Sequence, residues 1–326
     1  MHNFGRPSHR LGTGLVLAAL AFAAAPSWAQ TPPPPTSGMA PGMAGMPGMA
    51  GMPGMRRGGQ GWDAQQKSQA YATEKLAASP RKHEWVSIPN GDRLLKGFVT
   101  YGSGGAKAPV VLVVHEVFGL TDSTRNTADE IAAMGYTTIA IDLLSGRGPG
   151  GGDSPSFDAD HSASDMNTSL PDAATNSDFE AWSAYAAKLP QSNGKLAIVG
   201  LSFGGGAAFR YVAEVQNPSL KALCVFYDIG PPPETQKLPN PGTISVDHII
   251  TPVYGFYGAT DTRVINSLPA TTAAMKAAGK FYEPVVYEGA DHAFMRVGEQ
   301  PADKNPANAA AVKAASARLK KILAGL

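Results

Sequence analysis

Apolar and polar positions recur along this chain with two different periods. Short apolar runs rich in β-branched residues occur at 110–114, 137–142, 196–199, 222–227, 252–258 and 284–288. Between and after them lie stretches with helical spacing near 123–134, 177–188, 203–216, 267–278 and 307–324. Runs of this length bounded by helical segments predict repeated βα units, hence a mostly parallel central sheet with helices on both faces. Upstream, 84–88 and 94–101 flank the turn Pro89-Asn90-Gly91-Asp92. Two strands around an Asn-Gly turn predict an antiparallel hairpin feeding the parallel sheet. The segment Trp62 to Leu76 is compatible with a further helix.

Two segments break this rhythm. Residues 145–177 are rich in Gly, Ser and Asp and predict a solvated loop beside the strand ends, where ligands of such sheets bind. The acidic residues there (Asp153, Asp158, Asp160, Asp165, Asp172) lack the fixed spacing of a calcium loop. Residues 30–61 are Pro, Gly, Met and Ala with almost no charge, too little to bury, and predict a disordered spacer. Its methionines (Met39, Met43, Met46, Met49, Met52, Met55) are soft donors suited to Cu(I), but no His or Cys accompanies them, so a spacer is the preferred reading and no metal is assigned. Ahead of the spacer, His9 and Arg10 precede an apolar run from Leu15 to Ala25 and then Pro26-Ser27-Trp28-Ala29-Gln30. Small residues at Ser27 and Ala29 predict a secretory signal cleaved after Ala29. The run is shorter than the roughly 20 apolar residues that span a bilayer, so no stable membrane insertion is expected after cleavage. The expected organisation is therefore 1–29 signal peptide, 30–61 spacer and 62–326 catalytic domain, in a periplasmic or secreted protein.

Composition narrows the partners. With 27 Lys+Arg against 26 Asp+Glu the formal net charge is +1, which gives no basic footprint for nucleic acid. The lone Cys224 rules out an intramolecular disulfide and, lying in an apolar run, predicts a buried thiol.

The strongest chemical signal is KLAIVGLSFGGGAAFRYVAE, where an apolar strand enters Gly200-Leu201-Ser202-Phe203-Gly204 and passes directly into a helical pattern. This is the G-x-S-x-G nucleophile elbow of α/β-hydrolase folds: the serine sits on a sharp strand-to-helix turn, and glycines on either side let neighbouring backbone pass close. A serine hydroxyl needs a base to take its proton and a carboxylate to hold that base. In this fold the order is Ser, then Asp or Glu, then His. Asp261 follows the strand at 252–257 and His292 follows the next one at 283–287, so both fall at strand carboxyl ends. Asp291, the sequence neighbour of His292, is poorly placed to face its ring, and His161 and His248 lie in loop-like sequence. The backbone N–H groups of Phe203 and of Val117, in the loop after the first parallel strand, are the expected oxyanion hole.

These residues resemble the dienelactone hydrolase family over about 108–296: PVVLVVHEVFGL, GYTTIAIDLLSGRGPG, QSNGKLAIVGLSFGGG, YGATD and EGADHAFMR. The resemblance implies hydrolysis of small-molecule lactones or esters without metal or cofactor, by a nucleophile that is usually cysteine and is Ser202 here. It places on Glu116 a glutamate that helps convert the family's thiol to thiolate. A carboxylate with a pKa near 4.3 is too weak a base for a serine hydroxyl, so Glu116 either orients the site or is a buried structural carboxylate. It also places on Arg296 one of two arginines that bind a substrate carboxylate, while residues 153–177 contain no arginine to be the second. Arg296 is either that ligand or a surface residue. The expected activity is an exported carboxylic-ester hydrolase. A peptidase or acyltransferase on the same fold, or a binding protein that kept the fold, are the alternatives.

Overall fold

A computed structural model describes residues 68–104, 106–158, 160–228 and 245–326, together with Met1. Residues 2–67, which hold the expected signal segment and Met-rich spacer, lie outside the described residues, and no helix among the described residues is long and apolar enough to cross a membrane.

A helix α1 (Ala70–Ala78) precedes the hairpin β1 (His83–Asn90) and β2 (Arg93–Thr100), and these lead into β3 (Ala108–Val114). The chain continues through α2 (Asp122–Ala132), β4 (Thr137–Ile141), α3 (Ala163–Ser169), α4 (Asp172–Ala187) and β5 (Ser192–Leu201). Then come α5 (Phe203–Glu214), β6 (Leu220–Phe226), β7 (Val253–Gly258), α6 (Thr262–Ala277) and β8 (Tyr282–Tyr287), with α7 (Phe294–Val297) and α8 (Pro306–Ala324) at the end. The eight strands form one sheet in the order β1-β2-β4-β3-β5-β6-β7-β8. β1 pairs antiparallel with β2 and β2 antiparallel with β4, and every other pairing is parallel.

The period-2 pattern of the strands divides the core into two layers. Val110, Leu112 and Val114 of β3 join Leu196 and Ile198 of β5 on one face, under Phe179 and Trp182 of α4, Phe209 and Tyr211 of α5, and Val264 and Met275 of α6. Val111, Val113, Ala197, Val199 and Leu201 face the other way, under Ala128 and Ile131 of α2 and the Ala311, Ala315, Leu319 and Leu323 stripe of α8. Cys224 is fully buried in this second layer, and burial pushes its thiol up to about 12, which keeps it protonated and inert.

Two expectations need correction. Residues 145–177 are not one loop: they contain two single 3-10 turns, the helix α3 and the first turns of α4. These helices are specified by polar contacts that a hydropathy pattern does not register. The Ser162 side chain accepts from Asp165 N–H at the α3 N-terminus, Asp172 pairs with Arg210, and the buried Asp178 is held by both Arg93 and Arg147. Asp153 likewise pairs with Lys96. The second correction is α6, which starts at Thr262 instead of 267, because the Asp261 side chain accepts from Val264 N–H and caps it.

Trp182 is the largest wholly buried side chain, and its indole occupies space that Gly97 leaves open, since a Cβ there would lie 2.6 Å from the ring. Trp182→Ala should therefore lower unfolding free energy by about 3–5 kcal/mol through the cavity it leaves, read as a reduced midpoint in urea.

Candidate active site

The site is built on the passage from β5 into α5. Ser202 has φ 49° and ψ −120°, a conformation costly for a residue with a Cβ. It is held because Ser202 N–H donates to Phe226 O on the neighbouring strand while Gly205 and Gly206 N–H both return to Ser202 O. Tight packing around the turn explains its glycines. A Cβ on Gly200 would lie 2.5 Å from Gly204 O, and one on Gly204 would lie 2.6 Å from His115 O.

The turn brings together the three residues named from the sequence. Ser202 Oγ is 3.1 Å from His292 Nε2, and His292 Nδ1 is 2.5 Å from Asp261 Oδ2. A carboxylate offers only lone pairs, so Nδ1 carries the imidazole proton and the Nε2 lone pair faces the serine hydroxyl. Asp261 is nearly buried and fixed by its cap on α6, whereas the His292 side chain is 37% exposed and open to an entering molecule. Phe203 heads α5, where its N–H has no partner within the helix, and Val117 lies in the facing loop.

That loop, 115–119, is rigid. His115 is fully buried, and its Nδ1 lies 2.7 Å from Glu116 O while its Nε2 accepts from Leu143 N–H at 3.1 Å. The second bond requires an unprotonated Nε2, so the ring is neutral, and burial lowers its pKa in the same sense. His115 O accepts from Gly204 N–H, Val117 O accepts from Asn167 Nδ2, and Gly119 N–H returns to Glu116 O. The Val117 N–H is thus carried on backbone anchored directly to the elbow.

Arg296 is not a surface residue. Its Nε donates to Glu116 Oε2 at 2.7 Å, and its guanidinium lies over the Phe118 ring. Burial lowers the Arg296 pKa, and the adjacent Glu116 carboxylate more than offsets this, so the net shift is upward and the charge is secure. The Tyr71 hydroxyl of α1 donates to Arg296 O at 2.9 Å. Near the Glu116–Arg296 pair lies Tyr227, fully buried with φ 40°, its ring 5.3 Å from that of His292. Burial pushes the Tyr227 phenol well above 10, with nearby Glu116 acting in the same direction, so the hydroxyl stays protonated.

Sequence reasoning passed over His115, Tyr71 and Tyr227, whose roles arise from burial and long-range contacts. It set Asp291 aside, and the structure turns the Asp291 carboxylate towards Thr260, Asn305 and Asn308. His161 and His248 lie apart from the Ser202 constellation, His161 in an exposed pair with Asp158. Among the described residues no group of three His, Cys, Asp or Glu side chains is arranged to hold a metal ion.

The model of the dienelactone hydrolase family matches residues 96–325. A Methylorubrum extorquens protein provisionally named a carboxymethylenebutenolidase is 29% identical over 212 residues, covering 64% of this chain and 71% of its own. The carboxymethylenebutenolidase of Pseudomonas putida is 27% identical over 224 residues, 65% of this chain and 86% of its own. Among solved structures, a Klebsiella pneumoniae protein provisionally described as a dienelactone hydrolase superposes with a TM-score of 0.63 at 26% identity, covering 76% of this chain and 99% of its own.

Because Arg296 and Glu116 each neutralise the other in a largely buried setting, removing either alone should cost about 3–5 kcal/mol, and removing both should cost less than the sum. Arg296→Met, Glu116→Gln and the double variant, compared by urea unfolding, test this coupling.

Proposed function

The chain belongs to the dienelactone hydrolase family, and from that membership we propose that it is an exported serine hydrolase cleaving carboxylic esters or lactones through an acyl-enzyme. The observation that carries the reading is the continuous contact from Ser202 Oγ to His292 Nε2 and from His292 Nδ1 to Asp261 Oδ2 at 3.1 and 2.5 Å.

In the proposed reaction His292 Nε2 takes the Ser202 proton as Oγ forms a bond to the substrate carbonyl carbon. The carbonyl electron pair moves to oxygen, which the Val117 and Phe203 N–H groups receive at the positive end of α5. Collapse of the tetrahedral intermediate breaks the bond to the alkoxide oxygen, which takes the proton from imidazolium. For a lactone, that alkoxide remains tethered to the acyl group. Water then attacks the acyl-enzyme by the same path, His292 taking its proton and returning one to Ser202 Oγ. Asp261 stays ionised throughout, holding the imidazole in its tautomer and stabilising the imidazolium.

Glu116 has no part in activating the nucleophile in this scheme. Its carboxylate is committed to Arg296, and the serine already has a base at hydrogen-bond distance. The same pairing bears on substrate. An Arg296 charge already matched by Glu116 adds little attraction for a second carboxylate, so neutral esters should be turned over at least as well as carboxylate-bearing lactones.

Ser202→Ala and His292→Ala should each remove nearly all turnover of a panel of neutral p-nitrophenyl esters and carboxylate-bearing lactones, and their losses should not add in the double variant. Asp261→Asn should leave a small residual rate through a misoriented imidazole. Near-wild-type turnover in His292→Ala would overturn the triad, and absence of fluorophosphonate labelling at Ser202 in the folded protein would favour a binding function. Export is supported by the basic, apolar and small-residue order of 1–29. Mass spectrometry of the protein recovered from the periplasm or medium should give a chain starting at Gln30, and retention of 1–29 would refute the proposed processing.

A further inference from the structure

His292 has few direct restraints. Its ring contacts the side chains of Asp261, Ser202 and Tyr227, more than a third of the side chain is exposed, and the next residue, Ala293, holds φ 60°, a left-handed conformation unfavourable for alanine. The imidazole position is therefore set by the backbone of 290–293, and what fixes that backbone is a polar lock behind it.

At the centre of the lock is Asp291. Its carboxylate accepts from three donors: Thr260 Oγ1 at 2.7 Å, Asn305 Nδ2 at 2.8 Å and Asn308 Nδ2 at 2.9 Å. Asn308, fully buried in the first turn of α8, grips the same residue twice, because its Oδ1 also accepts from Asp291 N–H at 2.8 Å. Its remaining amide hydrogen goes to Asp303 Oδ2 at 3.1 Å. Asn305 bridges Asp291 to Gly289 O at 2.9 Å while its own Oδ1 caps α8 at Ala307 N–H. On the other side Thr260, the residue before Asp261, donates its backbone N–H to Ala290 O at 3.0 Å while its hydroxyl hydrogen goes to Asp291. The loops bearing Asp261 and His292 are also pressed together at Gly258, where a Cβ would lie 2.5 Å from both Ala290 O and Asp291 O.

We propose that Asp291, gripped by Asn308 and Asn305 of the C-terminal helix and tied by the Thr260 hydroxyl to the Asp261 loop, is the positioning residue that sets His292 between Ser202 and Asp261. The inference rests on the reading of those three residues as the triad. Its chemistry is that of an acceptor-only hub: three donors converge on one carboxylate, so the hub works while Asp291 is ionised. The amide of Asn305 and the hydroxyl of Thr260 hold its pKa below the ordinary carboxylate value. With a folded pKa depressed in this way, the lock is complete above about pH 4, the ordinary range of an aspartate, and is lost only as pH falls through the lower folded value. The lock therefore persists across the range in which a histidine base works.

The test uses the full-length protein and a p-nitrophenyl ester. Thr260 is exposed, so Thr260→Val removes the hydroxyl with little risk to folding, and Thr260→Ser keeps it. Thr260→Val should lower kcat by about three- to tenfold with KM unchanged, the scale of one hydrogen bond, and slow fluorophosphonate labelling of Ser202 in step. Thr260→Ser should restore kcat to within about twofold, a recovery expected where the hydroxyl itself supplies the effect. Asn308→Ala, assayed at a temperature where circular dichroism shows it folded, should lose on the order of ten- to a hundredfold in kcat, the scale of a displaced catalytic group. Wild-type kcat in folded Asn308→Ala, or a Thr260→Val loss that Thr260→Ser does not recover, overturns the proposal. Should Asn308→Ala not fold, the Thr260 pair decides alone: unchanged kcat in Thr260→Val refutes it. His292→Ala run alongside separates the two claims. If it is inactive while the lock variants are normal, the triad stands and the lock falls, and if it is active the triad itself is wrong.

Discussion

The site depends on one strained residue. Ser202 must hold φ 49° at the point where β5 becomes α5, and such a conformation persists only where its surroundings over-determine it. Three neighbours do so here. Phe226 on β6 receives the Ser202 N–H, the first turn of α5 closes onto Ser202 O, and His115 O receives the Gly204 N–H from the opposite side. The turn also needs backbone closer than a side chain would permit two residues to either side of the serine, where a Cβ on Gly200 would meet Gly204 O and one on Gly204 would meet His115 O. The turn that lifts the hydroxyl towards His292 thereby also fixes the loop carrying Val117 against the helix carrying Phe203. The candidate nucleophile and candidate oxyanion donors are set by the same backbone contacts.

A second constraint comes from charge. Glu116 and Arg296 lie within this packed region, and neither has water enough to be stable alone. Paired, they tie the loop after β3 to the turn after His292, and α1 adds a hydrogen bond from Tyr71 to the backbone of that same turn. The pairing also commits the Glu116 carboxylate to the arginine, while the Ser202 hydroxyl has His292 Nε2 as its hydrogen-bond partner.

How far the sequence disclosed this follows from the kind of contact involved. The parallel sheet, its hairpin and the two-sided cover of helices were legible because each strand alternates or runs apolar, as Val110 to Val114 do, and because strand and helix periods differ. Ser202, Asp261 and His292 were legible because the fold fixes their order and places them at strand ends. Residues 145–177 misled because α3 and the start of α4 are specified by Ser162, Asp172 and Asp178, polar residues whose partners Arg93, Arg147 and Arg210 are remote in sequence. Arg296 was ambiguous for the same reason: nothing at 292–296 announces that Glu116, 180 residues earlier, will meet it.

Asp261 shows how both kinds of information meet in one side chain. One oxygen accepts from His292 Nδ1 and the other from the N–H of Val264 at the start of α6. A carboxylate at a helix N-terminus is stabilised as an anion, and an anion is what an imidazole needs beside it when it becomes charged. The cap that begins the helix thus also fixes the acceptor that orients the base. This gives α6 a reason to begin directly at the strand end, ahead of the helical pattern that starts near 267 in the sequence. Through Thr260 the same turn reaches Asp291 and the C-terminal helix, so residues at 258–261, 289–293 and 303–308 are joined in one hydrogen-bonded network behind the His292 ring.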